Sequence, residues 1–366
     1  MKRNRIKQIA SKTGVVCGRI LIILGITLLL VAAALYSAMF LLVNGPSPTI
    51  GKLFVLSLKE TSAGGFIADW YMSEEEIAVL QAERAEEKAQ EINTSLIKLP
   101  EKQDDHDGEL KGENPLDTDR VDTDNNGTGE AEDESPRGIE VHNVSGGTYN
   151  GKMLIIKDPT RVFVGVPDKY GEGASGLSLT KMIEKYGAIG GTNAGGFIDP
   201  GGSGTGGIPE GIVIYEGELL WGNEGSSYSL AGLDENGLLY VGKMTGARAL
   251  GLGIKYAVSY GPALIINGEP CNANRSLGGG INPRTAIGQR EDGAILLLVV
   301  NGRQIDSLGA TLDDLIEIML SFGAVNASNL DGGSSTLMKL DGEYLNTSSY
   351  ILGGERVLAS TILISP

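Results

Sequence analysis

The stretch Arg284–Gly302, RTAIGQREDGAILLLVVNG, contains two apolar runs on either side of the dipeptide Asp292-Gly293. Asp-Gly favours tight two-residue turns, because its glycine accepts a positive φ angle. Runs of this length that are rich in Val, Ile and Leu are typical of buried strands. The stretch therefore predicts a β-hairpin whose second strand, Ile295–Val300, lies in the core of a sheet.

Similar short runs, separated by Gly, Pro, Asn and Asp, continue from about Arg137 to the C-terminus. Two helices interrupt them. Leu179–Tyr186 is short, and Thr311–Phe322 has an apolar stripe and a capping box formed by Thr311 and Asp314. No fixed-period repeat is visible, which argues against propellers and solenoids. We therefore predict an α+β fold over residues 137–366, rich in strands and with few helices.

The N-terminal part differs from this domain. Residues 20–43 carry no charge over a length that crosses the roughly 30 Å hydrocarbon core of a bilayer. Basic residues cluster before this run and the next one is Lys52, so the positive-inside rule places residues 1–19 in the cytoplasm. A cleaved signal peptide is the alternative, but its apolar run is about 7–15 residues long. The sequence favours an uncleaved single-pass anchor in the plasma membrane, with the remainder extracellular.

Residues 44–136 are predicted to form an extracellular stalk and linker. A helix is expected from Ser73, which has Glu76 at capping-box spacing. Glu101–Glu134 is acidic and almost free of large apolar residues, so it cannot offset the entropy lost on ordering. We interpret this stretch as a flexible spacer between the stalk helix and the C-terminal domain.

Composition excludes some classes of function. The formal net charge is −16, which argues against a nucleic acid partner because phosphate backbones are bound by clustered Lys and Arg. Cys17 and Cys271 are the only cysteines and are predicted to lie on opposite sides of the membrane, so no disulfide framework is expected. With only two histidines, any catalysis must depend mainly on carboxylate, Arg, Asn or hydroxyl groups.

Polar residues are concentrated where three of the predicted strands begin or end. The glycine-rich Gly190–Gly211 contains Asn193, and its backbone N–H groups can face an anion. Arg284 stands at the mouth of its strand, where its guanidinium can bind a carboxylate or phosphate through two hydrogen bonds. A third group, Asn301, Arg303, Asp306 and Ser307, follows the apolar strand Ile295–Val300. A plain loop, a structural ion pair and a simple turn are the respective alternatives.

The fourth segment is Asn329–Glu343, NLDGGSSTLMKLDGE. Asp331-Gly332 alone would suffice for a hairpin turn. A second glycine, followed by three hydroxyl residues, instead favours a ligand that lies against bare backbone with a carboxylate beside it. Both a turn and a site floor are compatible with the pattern.

Seven segments within Gly146–Ile364 resemble, in order, the phosphodiester glycosidase family, whose animal member removes N-acetylglucosamine from a phosphodiester. They are NAGGF, GIPEG, GPALIINGE, PRTAIGQREDGAILLLVVNGRQ, SLGATLDDL, NASNLDGGSSTLM and GERVLASTILI. The membrane-proximal NGPSPTIGKLFVLSLKETSA is similar to the anchors of bacterial members from Gram-positive lineages. This chain departs from the family in having Asn301 where Asp is common and Ser334 where a third glycine is frequent.

The resemblance implies a strand-rich catalytic domain that breaks a sugar C1–O bond. The leaving group is a phosphate monoester, which is acidic enough to leave without a strong general acid. Arg284 and Arg356 are expected to bind phosphate and Asp331 to act near the anomeric carbon, with Asp306 or Glu355 as second carboxylate. The expected substrate-binding residues are Asn193, Gly195, Arg303, Gly332, Gly333, Ser334, Ser335 and Arg356. No cofactor is required by the sequence, and assistance by a divalent cation remains open.

The expected substrates are sugar-1-phosphodiesters in cell-envelope glycopolymers or exopolysaccharide. Two other classes stay open at this point. A glycan-binding surface protein without turnover is favoured by the departure at Asn301, and a structural factor in exopolysaccharide assembly would use the stalk helix as its interaction element.

Overall fold

The structure, a computed structural model, describes residues 2–45, 47–59, 61, 65–82, 91–100, 131–135, 137–271, 280–350 and 353–366. Within these residues there are eighteen strands. They are β1 Ala131–Ser135, β2 Ile139–Ser145, β3 Asn150–Ile156, β4 Val162–Gly165, β5 Gly190–Asn193, β6 Val213–Tyr215, β7 Glu218–Trp221, β8 Ser227–Asp234, β9 Leu239–Thr245, β10 Ile254–Ser259, β11 Ala263–Ile266, β12 Glu269–Pro270, β13 Arg284–Arg290, β14 Ile295–Val300, β15 Ala324–Leu330, β16 Met338–Leu340, β17 Glu343–Tyr344 and β18 Thr361–Ile364.

The same residues contain six α-helices and short 3₁₀ turns. The α-helices are α1 Lys2–Val43, α2 Pro48–Lys59, α3 Glu74–Ala82, α4 Leu179–Tyr186, α5 Gly246–Gly251 and α6 Leu312–Ser321; the 3₁₀ turns are Gly65–Trp70, Thr94–Leu96, Pro159–Arg161, Pro200–Gly202 and Gly333–Ser335. Helix α4 has the predicted bounds. Helix α6 begins directly after Thr311 of the predicted capping box, in which the Asp314 carboxylate accepts from the backbone N–H of Thr311 at 2.7 Å. The prediction of a strand-rich α+β fold is confirmed.

The strands form three antiparallel sheets. The largest has eight strands in the order β1-β2-β3-β14-β13-β15-β11-β12, and the two five-stranded sheets have the orders β7-β6-β10-β8-β9 and β17-β16-β5-β18-β4. The predicted hairpin is present as β13 and β14, with Arg284 opposite Val300. At its turn, the N–H of Gly293 donates to the carbonyl of Arg290 at 3.1 Å.

Strand β14 is buried on both faces, as its unbroken apolar run predicts. Ile295, Leu297 and Val299 face the core between the sheets. The alternate residues pack against helix α6, which covers the outer face of the eight-stranded sheet through Leu315 and Met319. This two-sided burial fixes the register of the hairpin and with it the position of the residues at its open end.

The segment Asp331–Leu337 crosses between sheets and is not a hairpin turn. Strand β15 before it pairs with β13 and β11 in the eight-stranded sheet. Strand β16 after it pairs with β5 and β17 in a five-stranded sheet. The two glycines after Asp331 therefore belong to the connection that links one sheet to the next.

In helix α1, Arg19–Val43 is a 25-residue stretch that is long and apolar enough to cross a membrane. Its large side chains are exposed, including Leu29 at 72% and Leu41 at 70%. An N-terminal helix of this kind acts either as a membrane anchor or as a signal sequence.

A small helical unit packs beside the C-terminal end of this helix. Val55 in α2 and Ile77 in α3 are buried together with Ala68. The predicted capping box of α3 is present, since the Glu76 carboxylate accepts from the backbone N–H of Ser73 at 2.9 Å. The unit contacts the C-terminal domain where the Ser57 hydroxyl accepts from the N–H of Ile281 at 2.8 Å.

Two segments of the predicted stalk and linker are part of the folded domain. Residues 91–100 pack against it: Ile97 is buried, and the N–H of Lys98 donates to the carbonyl of Glu291 at 2.7 Å. Strand β1 pairs with β2, although it precedes the predicted boundary at residue 137. The central part of the predicted acidic spacer, residues 101–130, lies outside the described residues.

Candidate active site

The open ends of several strands meet at one edge of the domain. Antiparallel pairing places the start of β13 beside the ends of β14 and β15, because Arg284 lies opposite Val300 and Thr285 opposite Leu330. A cavity of about 290 Å³ lies at this edge. It is lined by Gly196, Phe197, Asp199, Glu210, Tyr260, Asn282, Arg284, Arg303, Asp331, Gly332, Gly333, Ser334 and Arg356.

Asp331 is held in place through its backbone. Its N–H donates to the carbonyl of Ala194 at 2.8 Å, and its carbonyl accepts from the side-chain amide of Asn193 at 2.5 Å. The side-chain oxygen of Asn193 in turn accepts from the Thr285 hydroxyl at 2.8 Å and from the N–H of Leu337 at 3.2 Å. Asn193 is fully buried and so fixes the carboxylate-bearing residue from below.

The two glycines after Asp331 are required by close approach. A Cβ on Gly332 would lie 2.8 Å from the carbonyl oxygen of Pro283. Gly333 has a φ of +59°, and a Cβ there would lie 3.3 Å from a guanidinium nitrogen of Arg303. Bare backbone therefore lets the guanidinium of Arg303 lie against the cavity floor.

Two arginines reach the cavity, Arg284 from the start of β13 and Arg303 from the loop after β14. Arg284 is almost completely buried, and its guanidinium donates to the carbonyls of Ala310 at 3.2 Å and Gly280 at 2.9 Å. Arg303 donates to the side-chain oxygen of Asn282 at 3.0 Å. These contacts hold both cations at fixed positions, which is what an anion site needs.

A third arginine, Arg356, approaches from the C-terminal segment. Its guanidinium lies 4.6 Å from the centre of the Phe197 ring and donates to the Ser334 hydroxyl at 3.0 Å. It also forms an ion pair with Asp199, whose other oxygen accepts from the N–H of Gly204 at 2.6 Å. The aromatic contact and the ion pair together fix the plane of the guanidinium.

The two remaining acids of the cavity have raised pKa values. Burial raises the pKa of Asp331 to about 7, although the Ser335 hydroxyl, the charge of Arg356 and the N–H of Gly332 work in the opposite direction. The charge of Glu210 raises it further. Loss of hydration also raises the pKa of Glu210 itself. Paired carboxyl groups with shifted pKa values are typical of sites that perform acid–base or nucleophilic chemistry.

The structure brings together most of the residues that the sequence singles out. Arg284, Asp331 and Arg356 lie around the same cavity, although they are far apart in sequence. Besides Arg356, four more of the expected substrate-binding residues line it, namely Arg303, Gly332, Gly333 and Ser334. Asn193, Gly195 and Ser335 are buried behind the wall, where the N–H of Gly195 donates to the Ser360 hydroxyl at 3.0 Å.

Neither residue expected to be the second carboxylate lines the cavity. Asp306 is exposed in the loop after β14, where its backbone carbonyl accepts from the side chain of Asn150 at 3.3 Å. Glu355 accepts from the N–H of Thr180 at 3.0 Å and from the Tyr344 hydroxyl at 2.8 Å. Although burial works in the opposite direction, these hydrogen bonds hold the pKa of Glu355 below its usual range. In this position Glu355 joins helix α4 to the C-terminal segment.

Several lining residues are not found by the sequence reasoning. They are Phe197, Asp199, Glu210, Tyr260 and Asn282. Glu210 lies in the segment GIPEG, which carries part of the family resemblance but no obvious chemical pattern. The sequence signal that could have identified Glu210 is its position at the end of the glycine-rich loop. There the N–H of Glu210 donates to the carbonyl of Gly196 at 2.9 Å, which closes the loop over the cavity.

Within the described part of the chain, no group of three or more His, Cys, Asp or Glu residues is arranged to hold a metal ion.

Residues 186–365 match the model of the phosphodiester glycosidase family. The chain carries a phosphodiester glycosidase domain. The resemblance seen in the sequence is confirmed for these residues, and domains of this family are hydrolases.

Two curated proteins share parts of the domain. The uncharacterized SPbeta prophage-derived protein YomE of Bacillus subtilis (strain 168) is 36% identical over 116 residues, which are 31% of this chain and 18% of that protein. The N-acetylglucosamine-1-phosphodiester alpha-N-acetylglucosaminidase of Bos taurus is 42% identical over 62 residues, 17% of this chain and 12% of that protein. The chain thus spans less than a fifth of the length of either relative.

A solved structure shares the fold. The catalytic domain of zebrafish N-acetylglucosamine-1-phosphodiester alpha-N-acetylglucosaminidase, auto-inhibited by its pro-peptide, superimposes with a TM-score of 0.51 at 21% identity. The match covers 65% of this chain and 88% of that structure.

The departure at Asn301 lies outside the cavity lining of the phosphodiester glycosidase domain. The Asn301 side chain donates to the side-chain oxygen of Asn150 at 2.6 Å and accepts from the N–H of Thr347 at 3.0 Å. The residue therefore joins three loops at the rim of the domain.

Proposed function

We propose that the protein hydrolyses glycosyl-1-phosphodiesters, breaking the bond between the sugar C1 and the phosphate oxygen. One observation carries this proposal: three arginines and the carboxyl groups of Asp331 and Glu210 line a single cavity within a phosphodiester glycosidase domain. Cations that hold a phosphate beside a carboxyl group are the combination that this reaction needs.

The arginines are proposed to bind the phosphodiester. Hydrogen bonds to the carbonyl of Ala310 and to the side chain of Asn282 hold Arg284 and Arg303, respectively, in place at the cavity. Arg356 adds a third cation, and the Ser334 hydroxyl lies beside it. Fixed cations stabilise the charge that develops on the leaving phosphate without reorganising during the reaction.

Asp331 is proposed to act as a carboxylate close to the anomeric carbon. There it stabilises positive charge on the sugar ring or activates water, while Glu210 takes the place of second carboxyl group. The leaving group is a phosphate monoester, so protonation by a strong acid is not needed. Asn193 holds the backbone carbonyl of Asp331 in position from behind the cavity.

We further propose that residues 20–43 anchor the protein in the plasma membrane and that the domain faces outward. The basic N-terminus and the exposed apolar surface of α1 support this orientation. An outward-facing enzyme meets sugar-1-phosphodiesters in envelope glycopolymers and exopolysaccharide, which are the proposed substrates.

The test is hydrolysis of a methyl phosphodiester of N-acetylglucosamine 1-phosphate, and of an envelope glycopolymer fraction, by the full chain in detergent. Release of reducing sugar together with an equal amount of phosphomonoester is the expected result. Both products must appear, because cleavage of the P–O bond on the methyl side would leave the phosphate on the sugar. In oxygen-labelled water the phosphomonoester must also remain unlabelled, because cleavage of the P–O bond on the sugar side would place the label in it.

Three outcomes decide against the proposal. Binding of these compounds without release of sugar by the parent chain indicates a glycan-binding protein. Equal rates for the parent and an Asp331→Asn variant would exclude the active-site assignment. If the parent chain neither binds nor hydrolyses these compounds, the structural role in polysaccharide assembly is the interpretation that is left.

A further inference from the structure

The phosphate-facing arginine Arg356 already has an acidic partner inside the cavity. Its ion pair with Asp199 is well shielded from water, because the two side chains are only 7% and 14% exposed. The N–H of Gly204 donates to the second oxygen of Asp199 at 2.6 Å and so fixes the carboxylate. The pair belongs to the cavity wall and not to the outer surface.

Asp199 changes the charge of the site. The Arg, Asp and Glu side chains among the lining residues are three arginines and three acids, with a formal balance of zero when these six are ionised. They are Arg284, Arg303, Arg356, Asp199, Glu210 and Asp331. A site that only had to attract phosphate would gain from leaving Arg356 without a carboxylate partner.

We infer that Asp199 is a specificity-determining residue that makes the cavity select singly charged phosphodiesters over doubly charged phosphomonoesters. The inference rests on the proposed function and adds a selection rule to it. A phosphodiester carries one negative charge near neutral pH, whereas a phosphomonoester carries almost two, since its second pKa is about 6. The repulsion from a fixed carboxylate is about twice as large for the doubly charged ligand.

The same carboxylate also promotes release of product. Water adds to C1 and the C1–O bond breaks, so the products are the free sugar and a phosphomonoester. That phosphomonoester loses a proton at neutral pH and gains a second negative charge. Asp199 then repels the product more strongly than it repelled the substrate, which limits product inhibition.

The test compares the full-length parent with Asp199→Asn, which keeps the shape of the side chain and removes its charge. The matched control is Asp292→Asn, since Asp292 also pairs with an arginine, Arg290, and accepts from a backbone N–H, but lies at the opposite end of β13. The probes are N-acetylglucosamine 1-phosphate and its methyl diester, with binding measured by calorimetry at pH 8 and pH 5.

At pH 8 we expect Asp199→Asn to increase affinity for the monoester at least about tenfold more than for the diester. At pH 5 the monoester is singly charged, so this contrast is expected to disappear. Glu210, Asp331 and the arginines face the same cavity, and Asp331 takes up a proton in this range in parent and variant alike. The comparison is therefore made between variant and parent at each pH. Asp292→Asn should show no contrast.

Equal changes for the two ligands at pH 8, or weaker binding of both, would overturn the inference and indicate that Asp199 only orients Arg356. A contrast that persists at pH 5 would overturn it as well. Binding needs no turnover, so the two proposals fail separately: a contrast without hydrolysis counts against the proposed function alone, and hydrolysis without a contrast counts against this inference alone.

Discussion

Among the Asp-Gly dipeptides of the chain, Asp292-Gly293 and Asp331-Gly332 lie in different kinds of connection. Asp292 lies in the tight turn between β13 and β14, where its side chain is exposed and pairs with Arg290 at 2.8 Å. Asp331 follows β15 at the point where the chain leaves one sheet for another, and its carboxyl group faces the cavity.

The difference shows that topology decides the chemistry of the same two residues. A hairpin turn returns to its own sheet and leaves the aspartate in water. A crossing between sheets passes through the interior, so the carboxyl group loses water, and burial raises its pKa to about 7. Residues of one type in these two surroundings are therefore expected to respond differently to the same substitution.

The largest contrast is expected in turnover. Asp331→Asn should lower kcat for a glycosyl-1-phosphodiester by about 10³-fold, because the variant removes the charge that we propose acts near the anomeric carbon. Asp292→Asn, measured in the same assay, should remain within about twofold of the parent, since surface substitutions rarely perturb a distant site. Similar rates for the two variants would mean that the cavity is not the site of chemistry.

The next contrast separates the two glutamates. Glu210→Gln is expected to lower kcat by about 10²-fold, as removal of a second carboxyl group at the reacting centre does. Glu355→Gln should instead lower the unfolding temperature, because Glu355 accepts from Thr180 and Tyr344 outside the cavity, and should change kcat much less. Steady-state kinetics and thermal unfolding on both variants provide the measurement, and the reverse pattern would restore Glu355 as the second carboxylate.

Strands and helices of this fold could be predicted because they depend on local pattern. The apolar run Ile295–Val300 is buried on both faces, and the capping box of Thr311 and Asp314 begins helix α6. Strand β8 lacks such a pattern, since its sequence SYSLAGLD mixes hydroxyl and small residues. It becomes a strand through pairing with β9 and β10, which a local pattern does not record.

The candidate site shows the same limit. Arg284 and Asp331 could be selected because each stands at the end of a strongly patterned strand. Glu210 and Asp199 could not, because they lie in a loop whose course is set by long-range contacts such as the hydrogen bond from the N–H of Ile198 to the carbonyl of Ile208 at 2.9 Å. Carboxylates are common in loops, and only the fold shows which of them face a guanidinium.

The pH dependence of turnover tests the ionisation of Asp331. Because the carboxylate form is the proposed catalyst and its pKa is about 7, kcat/KM should fall about tenfold per pH unit below pH 7 and level off above it. The measurement is kcat/KM between pH 5 and pH 9, with the methyl diester as substrate because its charge is constant over this range. A profile that rises toward acid would identify Asp331 as a proton donor.

The last prediction concerns stability. The pKa of Asp331 is raised in the folded state, so the folded protein binds an extra proton between about pH 4 and pH 7, and the stability contributed by this group falls as pH rises through that window. Asp331→Asn carries no such charge and is therefore expected to be more stable than the parent at pH 8, by between about 1 and 4 kcal/mol. The gain should shrink toward pH 4, whereas Asp292→Asn should show no gain at either end. Thermal unfolding of the three full-length proteins at pH 4.5 and pH 8 measures the difference.

A variant less stable than the parent at pH 8 would show that the hydrogen bond from the N–H of Gly332 and the charge of Arg356 outweigh the cost of burying the ionised carboxylate.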